Sequence, residues 1–224
     1  MYRVKEMFYS LQGEGARAGR AAVFCRFSKC NLWNGREESR AQSVCQFCDT
    51  DIVGIDGQNG GEFSSPSQLA DKINSLWHDQ SRSSSSKHST PYVIFTGGEP
   101  LLQLNEALID QMHQYSFEVA IESNGTLPLP KGVDWVCLSP KSDAKIVFEQ
   151  CDELKLVYPQ EKALPERFED FPANYYFLSP MANPLIRNGD DAQKQNNTKA
   201  ALEYCLTHPQ WRLTLQLHKL LGID

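Results

Sequence analysis

The sequence lacks any apolar run near the ~18 residues that crossing a bilayer requires. Its opening stretch, MYRVKEMFYSLQGEG, lacks the apolar core of a secretory leader, since Glu6 and Gln12 interrupt it. The expectation is therefore a cytoplasmic protein with no membrane partner, in a compartment where thiols stay reduced. Positive charge is also short: 22 Lys and Arg face 28 Asp and Glu, a net charge of −6. A protein built to grip nucleic-acid backbone needs a basic face, so the charge balance argues against that class, and no nucleic-acid partner is expected. A small anion held by one local Arg or Lys is not. No internal repeat is visible, which argues against a solenoid.

What is present is ordinary globular composition, 41% hydrophobic and 22% charged, over 224 residues. That length suits one domain, taken here as 1–224. Apolar segments at 4–10, 21–27, 92–95, 117–123, 135–138, 153–157, 175–178 and 211–216 read as strands. Helical spacing appears from Ser65, with Pro66 in the first turn and Leu69, Ile73 and Leu76 on one face. Two more helices are expected at 101–115 and at 198–207, the latter with Thr198 as its cap. Residues 54–61 and the Ser-rich 81–89 read as loops, and the polar 183–197 as an insertion. Short strands buried on both faces, with helices between only some of them, predict an α/β fold. We expect a mainly parallel, six-stranded sheet with few helices.

Seven cysteines is an odd number for a disulfide framework, and in a reducing compartment clustered cysteines read as metal or cluster ligands. Cys45 and Cys48 form a C-x-x-C turn, and Cys30 lies fourteen intervening residues upstream, just after the strand at 21–27. Three thiolates on a four-iron cluster leave one iron open, whereas a closed electron-transfer cluster wants four. A structural zinc also wants four N or S ligands, with Cys25 the available fourth, and a redox-active or inert C-x-x-C is the third reading. Cys137, Cys151 and Cys205 read as small buried hydrophobes. The stretch Thr96-Gly97-Gly98-Glu99-Pro100 follows the strand YVIF, at the strand end where parallel sheets bind ligands.

The cysteine loop and this Gly-Gly stretch together resemble the radical S-adenosylmethionine enzymes. In that superfamily three cysteines, here Cys30, Cys45 and Cys48, hold a 4Fe-4S cluster whose open iron S-adenosylmethionine chelates. The fourteen-residue gap, the turn Leu11-Gln12-Gly13-Glu14-Gly15, the stretch Ser139-Pro140-Lys141 and the C-terminal Gln216-Leu217-His218-Lys219 narrow the resemblance to the 7-carboxy-7-deazaguanine synthases. The resemblance implies a truncated radical-enzyme partial barrel. It also implies conversion of 6-carboxy-5,6,7,8-tetrahydropterin to 7-carboxy-7-deazaguanine, with ring contraction and loss of ammonia. A 5′-deoxyadenosyl radical would take the hydrogen from carbon 6. Mg²⁺, a flavodoxin or ferredoxin reductant, and a homodimer are implied as well.

Residue by residue, the resemblance implies that Phe47, Cys48, Asp49, Gly98, Glu99, Ser139, Pro140, Lys141, Ser179, Pro180, Met181 and Ala182 contact S-adenosylmethionine. Leu11, Gln12, Gly13 and Glu14 would hold the pterin, Arg26 its carboxylate, and Thr96, His218 and the terminal Asp224 the rest. Thr50 would ligate Mg²⁺. Plainer roles stand beside these: Arg26 and Lys141 as surface cations, Thr50 as a turn residue, His218 as a structural histidine. Glu37 and Glu38 read as solvated loop charge, and Trp33, Trp135 and Trp211 as core. Ser179 and Leu217 depart from the family pattern, which often has Gln and Thr there. A glycyl-radical activating enzyme and a non-enzymatic metal- or cluster-binding module are the alternatives.

Overall fold

A computed structural model describes residues 1–80, 90–186 and 190–223; the Ser-rich loop at 81–89, part of the 183–197 stretch and Asp224 lie outside them. Nine strands form one sheet: β1 (Tyr2–Leu11), β2 (Ala21–Phe27), β3 (Gly61–Phe63), β4 (Tyr92–Gly97), β5 (Glu118–Ser123), β6 (Trp135–Leu138), β7 (Cys151–Tyr158), β8 (Ala173–Pro180) and β9 (Trp211–Leu213). Their order is β3-β1-β2-β4-β5-β6-β7-β8-β9. From β2 to β9 every neighbouring pair is parallel, and β1 pairs antiparallel with both β2 and β3. The edge strands β3 and β9 are not paired with each other, so the sheet does not close into a barrel.

The expected α/β architecture is present, and the sheet is wider than the six strands expected. Six parallel strands run from β2 to β8, and β9 with the antiparallel β1 and β3 extends them. β3 is only GEF, paired with Tyr2, Arg3 and Val4. A three-residue strand at the end of a Gly-rich loop carries almost no periodic signal.

The helical wrap is thin. Helix α1 (Pro66–Gln80) packs on β1 and β2, α2 (Glu106–Gln114) on β5, and α3 (Ala192–Thr207) on β8 and β9. Ser65 accepts the Gln68 amide and caps α1, as its position before Pro66 implies. Two boundaries move from expectation. The helix expected at 101–115 splits into a short 3-10 helix, Pro100–Leu102, and α2, which Asn105 caps by accepting the Leu108 amide at 3.1 Å. The helix expected at 198–207 starts six residues earlier: Asp191 caps α3, accepting the Lys194 amide at 2.9 Å. Thr198 is inside that helix, its hydroxyl turned back onto the Lys194 carbonyl at 2.7 Å. Residues 192–197 of the expected polar insertion are thus the first turns of α3. The strand expected at 211–216 ends at Leu213 and gives way to α4 (Leu217–Leu221).

Alternation along the parallel strands sorts residues between two faces. Cys25, Phe27, Phe95, Ile121, Leu154, Leu156 and Leu178 pack into the core. Arg26, Thr96, Glu122, Lys155 and Ser179 turn the other way and line one cavity. Arg26 and Thr96 are register partners on β2 and β4. No described helix is long and apolar enough to cross a membrane.

Candidate active site

The cysteine loop leaves β2 through Lys29, which holds a left-handed φ of 76°, uncommon for a residue with a side chain. Two backbone bonds fix that turn: Lys29 N–H donates to Ile52, and its carbonyl accepts from Glu99, each at 3.0 Å. The Gly-Gly pair makes the approach possible. A Cβ on Gly98 would lie 2.1 Å from the Lys29 carbonyl oxygen and 2.7 Å from the Cys30 Cβ. Gly97 holds a φ of 145°, and a Cβ there would meet the Phe27 carbonyl at 2.3 Å. The end of β4 therefore lies against the cysteine loop only because two side chains are missing.

Cys30, Cys45 and Cys48 are free thiols that line one cavity of about 420 Å³, within the range of small-molecule sites. The Cys45 thiol donates to the Cys48 sulfur, which brings Cys48 down to about 6 and pushes Cys45 up. Burial raises Cys30. Among the described residues no three His, Cys, Asp or Glu side chains are set to share one metal ion. A structural zinc needs four ligands meeting at one point. Three cysteines on three different irons of a cubane have no such need, and three free sulfurs facing one cavity suit that group. Cys25, the available fourth, is on the opposite face in the core, where burial pushes its thiol far up.

Because β1 runs antiparallel, the turn after it lies at the opposite end of the sheet from the cysteine loop. Glu14 nevertheless reaches into the cavity. The buried Lys155 ammonium lies 2.6 Å from Glu14 Oε2 and 3.5 Å from Glu122 Oε1. Gln12 donates to Glu122 Oε1 at 3.0 Å and accepts the Glu14 amide at 3.1 Å, while Thr96 donates to Glu122 and Ser179 to Glu14. Burial alone would lower the ammonium of Lys155 and raise the carboxyl of Glu122. Their mutual attraction, with that of Glu14, outweighs burial: Lys155 is held well above the usual range and Glu122 below it.

A C-terminal strap joins the two ends. Leu217 N–H donates to Gly13 at 3.1 Å, the His218 ring lies against Gly13, and Lys219 pairs with Asp49 of the cysteine loop. Gln216, His218 and Lys219 line the cavity.

No family model matches the chain. It is 54% identical over 222 residues, 99% of both chains, to the 7-carboxy-7-deazaguanine synthase of Bordetella pertussis, and 50% identical, with the same coverage, to that of Caulobacter vibrioides. The chain belongs to the 7-carboxy-7-deazaguanine synthase family. It is thus an enzyme of radical S-adenosylmethionine type. The crystal structure of QueE from Escherichia coli shares the fold, with a TM-score of 0.67 at 24% identity, covering 97% of this chain and 94% of that one.

The residues expected from the synthase resemblance divide into three groups. Cys30, Cys45, Cys48, Phe47, Asp49, Thr50, Gly98, Ser139, Lys141, Ser179, Pro180, Ala182, Glu14, Arg26, Thr96 and His218 all line the cavity. Leu11, Gln12, Gly13, Glu99, Pro140 and Met181 are not in that lining. Glu99 is fully buried and accepts from Leu101 N–H, Ser123 Oγ and Asn124 N–H, so it ties β4 to the end of β5. Gln12 and Gly13 act one layer back, on Glu122 and His218. Asp224 lies outside the described residues.

The synthase motifs did not point to Glu122 or Lys155. Each is a charged residue beside apolar ones in the strands EVAIES and DELKLVY, Glu122 after Val-Ala-Ile and Lys155 between two leucines, and that was the available signal. Glu37 and Glu38 are exposed loop charges as expected, and Arg40, with which Glu37 pairs at 2.5 Å, was missed. Trp33 and Trp211 are core residues as expected, while Trp135 is half-buried, with the Arg17 guanidinium 4.1 Å from its ring.

Proposed function

We propose that this chain, folded as a single domain over 1–224, converts 6-carboxy-5,6,7,8-tetrahydropterin to 7-carboxy-7-deazaguanine with loss of ammonia, a step toward queuosine. The observation that carries this reading is one cavity with three free thiols at one end and the Glu14–Lys155–Glu122 cluster at the other. Cys30, Cys45 and Cys48 would hold a 4Fe-4S cluster; with S-adenosylmethionine bound, it supplies reductive cleavage of the sulfonium to begin radical chemistry.

The chain's own residues then divide the labour. Gly98, Ser139 and Lys141 present backbone and side-chain donors along the wall beside the cysteine turn, and Ser179, whose hydroxyl donates to Glu14, would extend that wall toward the carboxylates. The Lys141 ammonium is steered there by the Ser139 carbonyl at 2.8 Å and by the Ser139 hydroxyl. Glu14 and Glu122, both paired with Lys155, accept from the amino-pyrimidinone edge of the pterin. Arg26 is oriented by Glu6, which accepts its Nε at 2.7 Å, and offers the rest of its guanidinium to the substrate carboxylate. The strap from Gln216 to Lys219 keeps water from the lower half. Thr50 supplies one hard oxygen for Mg²⁺. Its neighbours Asp49 and Asp51 are already paired with Lys219 and Lys5, so substrate and water oxygens would complete that ion's shell.

A flavodoxin or ferredoxin supplies the electron, and the enzyme works in the cytoplasm. Exposed apolar side chains on α3 and α4, Leu206 at 74% and Leu220 at 65% among them, support a homodimer. The test is anaerobic reconstitution with iron and sulfide, then incubation with the carboxytetrahydropterin, reductant, S-adenosylmethionine and Mg²⁺. A deazapurine chromophore is expected. Formation of 5′-deoxyadenosine with no deazapurine would overturn the substrate assignment and spare the superfamily.

A further inference from the structure

The fourteen-residue gap between Cys30 and Cys45 is not slack chain. It carries a short 3-10 helix, Glu37–Gln42, and that helix delivers one side chain back onto the cysteine turn. Arg40 is only 14% exposed although its helix has no buried residue besides its own partly covered ones. Its Nη1 donates to the carbonyls of Gln46 and Cys48, both at 2.9 Å. Its Nε and Nη2 donate to Glu37 at 2.7 and 2.5 Å. The guanidinium carbon lies 4.2 Å from the centre of the Trp33 ring, and Trp33, three residues past Cys30, is buried with its Nε1 donating to the Arg36 carbonyl at 3.2 Å. The Gln46 side chain adds a bond to Ala41 at 3.0 Å.

Arg40 therefore touches both halves of the ligand set. Through Trp33 it bears on the segment after Cys30, and through two carbonyls it fixes the turn that carries Cys45 and Cys48. Only a planar fork does all of this at once: it bridges two carbonyls, meets a carboxylate with two parallel bonds and stacks on an indole. A lysine offers one point charge and no plane.

We propose that Arg40 is a positioning residue that holds the turn from Cys45 to Cys48 in cluster-ready shape and keeps the cluster from leaving. This rests on the reading that the three cysteines hold a cluster. Without Arg40 the long gap would have to be ordered by cluster binding itself, and the bound state would bear that entropy. Arg40 is not in the cavity lining.

The test uses the full chain, reconstituted anaerobically, and reads loss of cluster absorbance under a chelator, not turnover. Arg40→Ala is expected to lose its cluster roughly tenfold faster than the parent, the effect of one charge-assisted hydrogen bond. In the iron-free chain the Cys45 amide, which donates to Leu32, is expected to exchange with solvent faster in the same variant. Arg40→Lys is expected to behave like Arg40→Ala. Glu37→Gln, a change at an exposed carboxylate, is expected to give a smaller acceleration of the same kind, and serves if Arg40→Ala does not fold. Unchanged cluster loss in the folded variants, or full recovery by Arg40→Lys, overturns the inference. A parent chain that never takes up iron overturns the cluster reading instead.

Discussion

Lys155 on β7 and Glu14 in the turn after β1 are 141 residues apart in sequence, and their charged atoms are 2.6 Å apart. Their side chains are 8% and 13% exposed, so neither charge is solvated by bulk water. Removing one partner of a buried pair typically costs about 3–5 kcal/mol, because the other charge is left without compensation. Lys155→Met is expected to lower the melting temperature by roughly 10 °C at ~2–4 °C per kcal/mol for a chain of this size. Lys155→Met combined with Glu14→Gln should recover part of that loss. A double-mutant cycle by denaturant unfolding checks the coupling, and additive losses would show that the two groups do not depend on each other.

The Gly98 contact makes a second prediction. Gly98→Ala places a methyl 2.1 Å from the Lys29 carbonyl, so either β4 or the cysteine loop must move. Overpacking of this kind costs about 1–3 kcal/mol. The expected result is a folded protein that takes up less iron per chain and binds S-adenosylmethionine more weakly. Iron content and equilibrium dialysis measure both.

Arg26 separates substrate from cosubstrate. Glu6 orients its guanidinium from one side, and Thr96, its register partner, flanks it on the other. Arg26→Ala should raise the KM for the pterin by one to two orders of magnitude, a loss of about 1.5–3 kcal/mol for a hydrogen bond to a charged group. The dissociation constant for S-adenosylmethionine should barely change. Equal losses for both ligands would show that Arg26 supports the cavity as a whole.

His218 gives the pH dependence. Burial pushes its imidazole below 6.5, and the opposing pull of Glu14 is weaker. The folded chain therefore prefers the neutral ring. The stabilisation is present above the unfolded value of about 6.5 and is lost as pH falls through the lower folded value. Amides of the C-terminal strap should exchange faster below that point, before the sheet does. His218→Gln should remove this acid step. An acid step that persists in the variant would assign it to Asp49 instead, whose carboxyl is held low by Lys219 against its burial.

Motif and anomaly were read with different success. Ala21–Phe27 and Trp135–Leu138 were legible to the residue, because WVCL is a continuous apolar run and AAVFCRF is one broken only by Arg26, both with clear ends. The start of α3 was not, because AQKQNN has no apolar face and Asp191, its cap, sits in a polar stretch. Most cavity residues were found by family pattern at strand ends. Lys155 and Glu122 were missed because pairing across the sheet cannot be read from either strand alone. Only the β5-β6-β7 order shows which buried cation meets which buried carboxylate. Arg40 was missed for a related reason: nothing local marks one arginine in a polar loop as the one that turns inward.

The strap from Gln216 to Lys219 also imposes an order in time. The three thiols lie within residues 30–48, and the strap that lines their cavity, at 216–219, is synthesised long after them. A chain still growing on the ribosome would carry its three clustered thiols without that strap until residues 216–219 had emerged. Oxygen exposure during expression should therefore damage nascent chains more than finished ones.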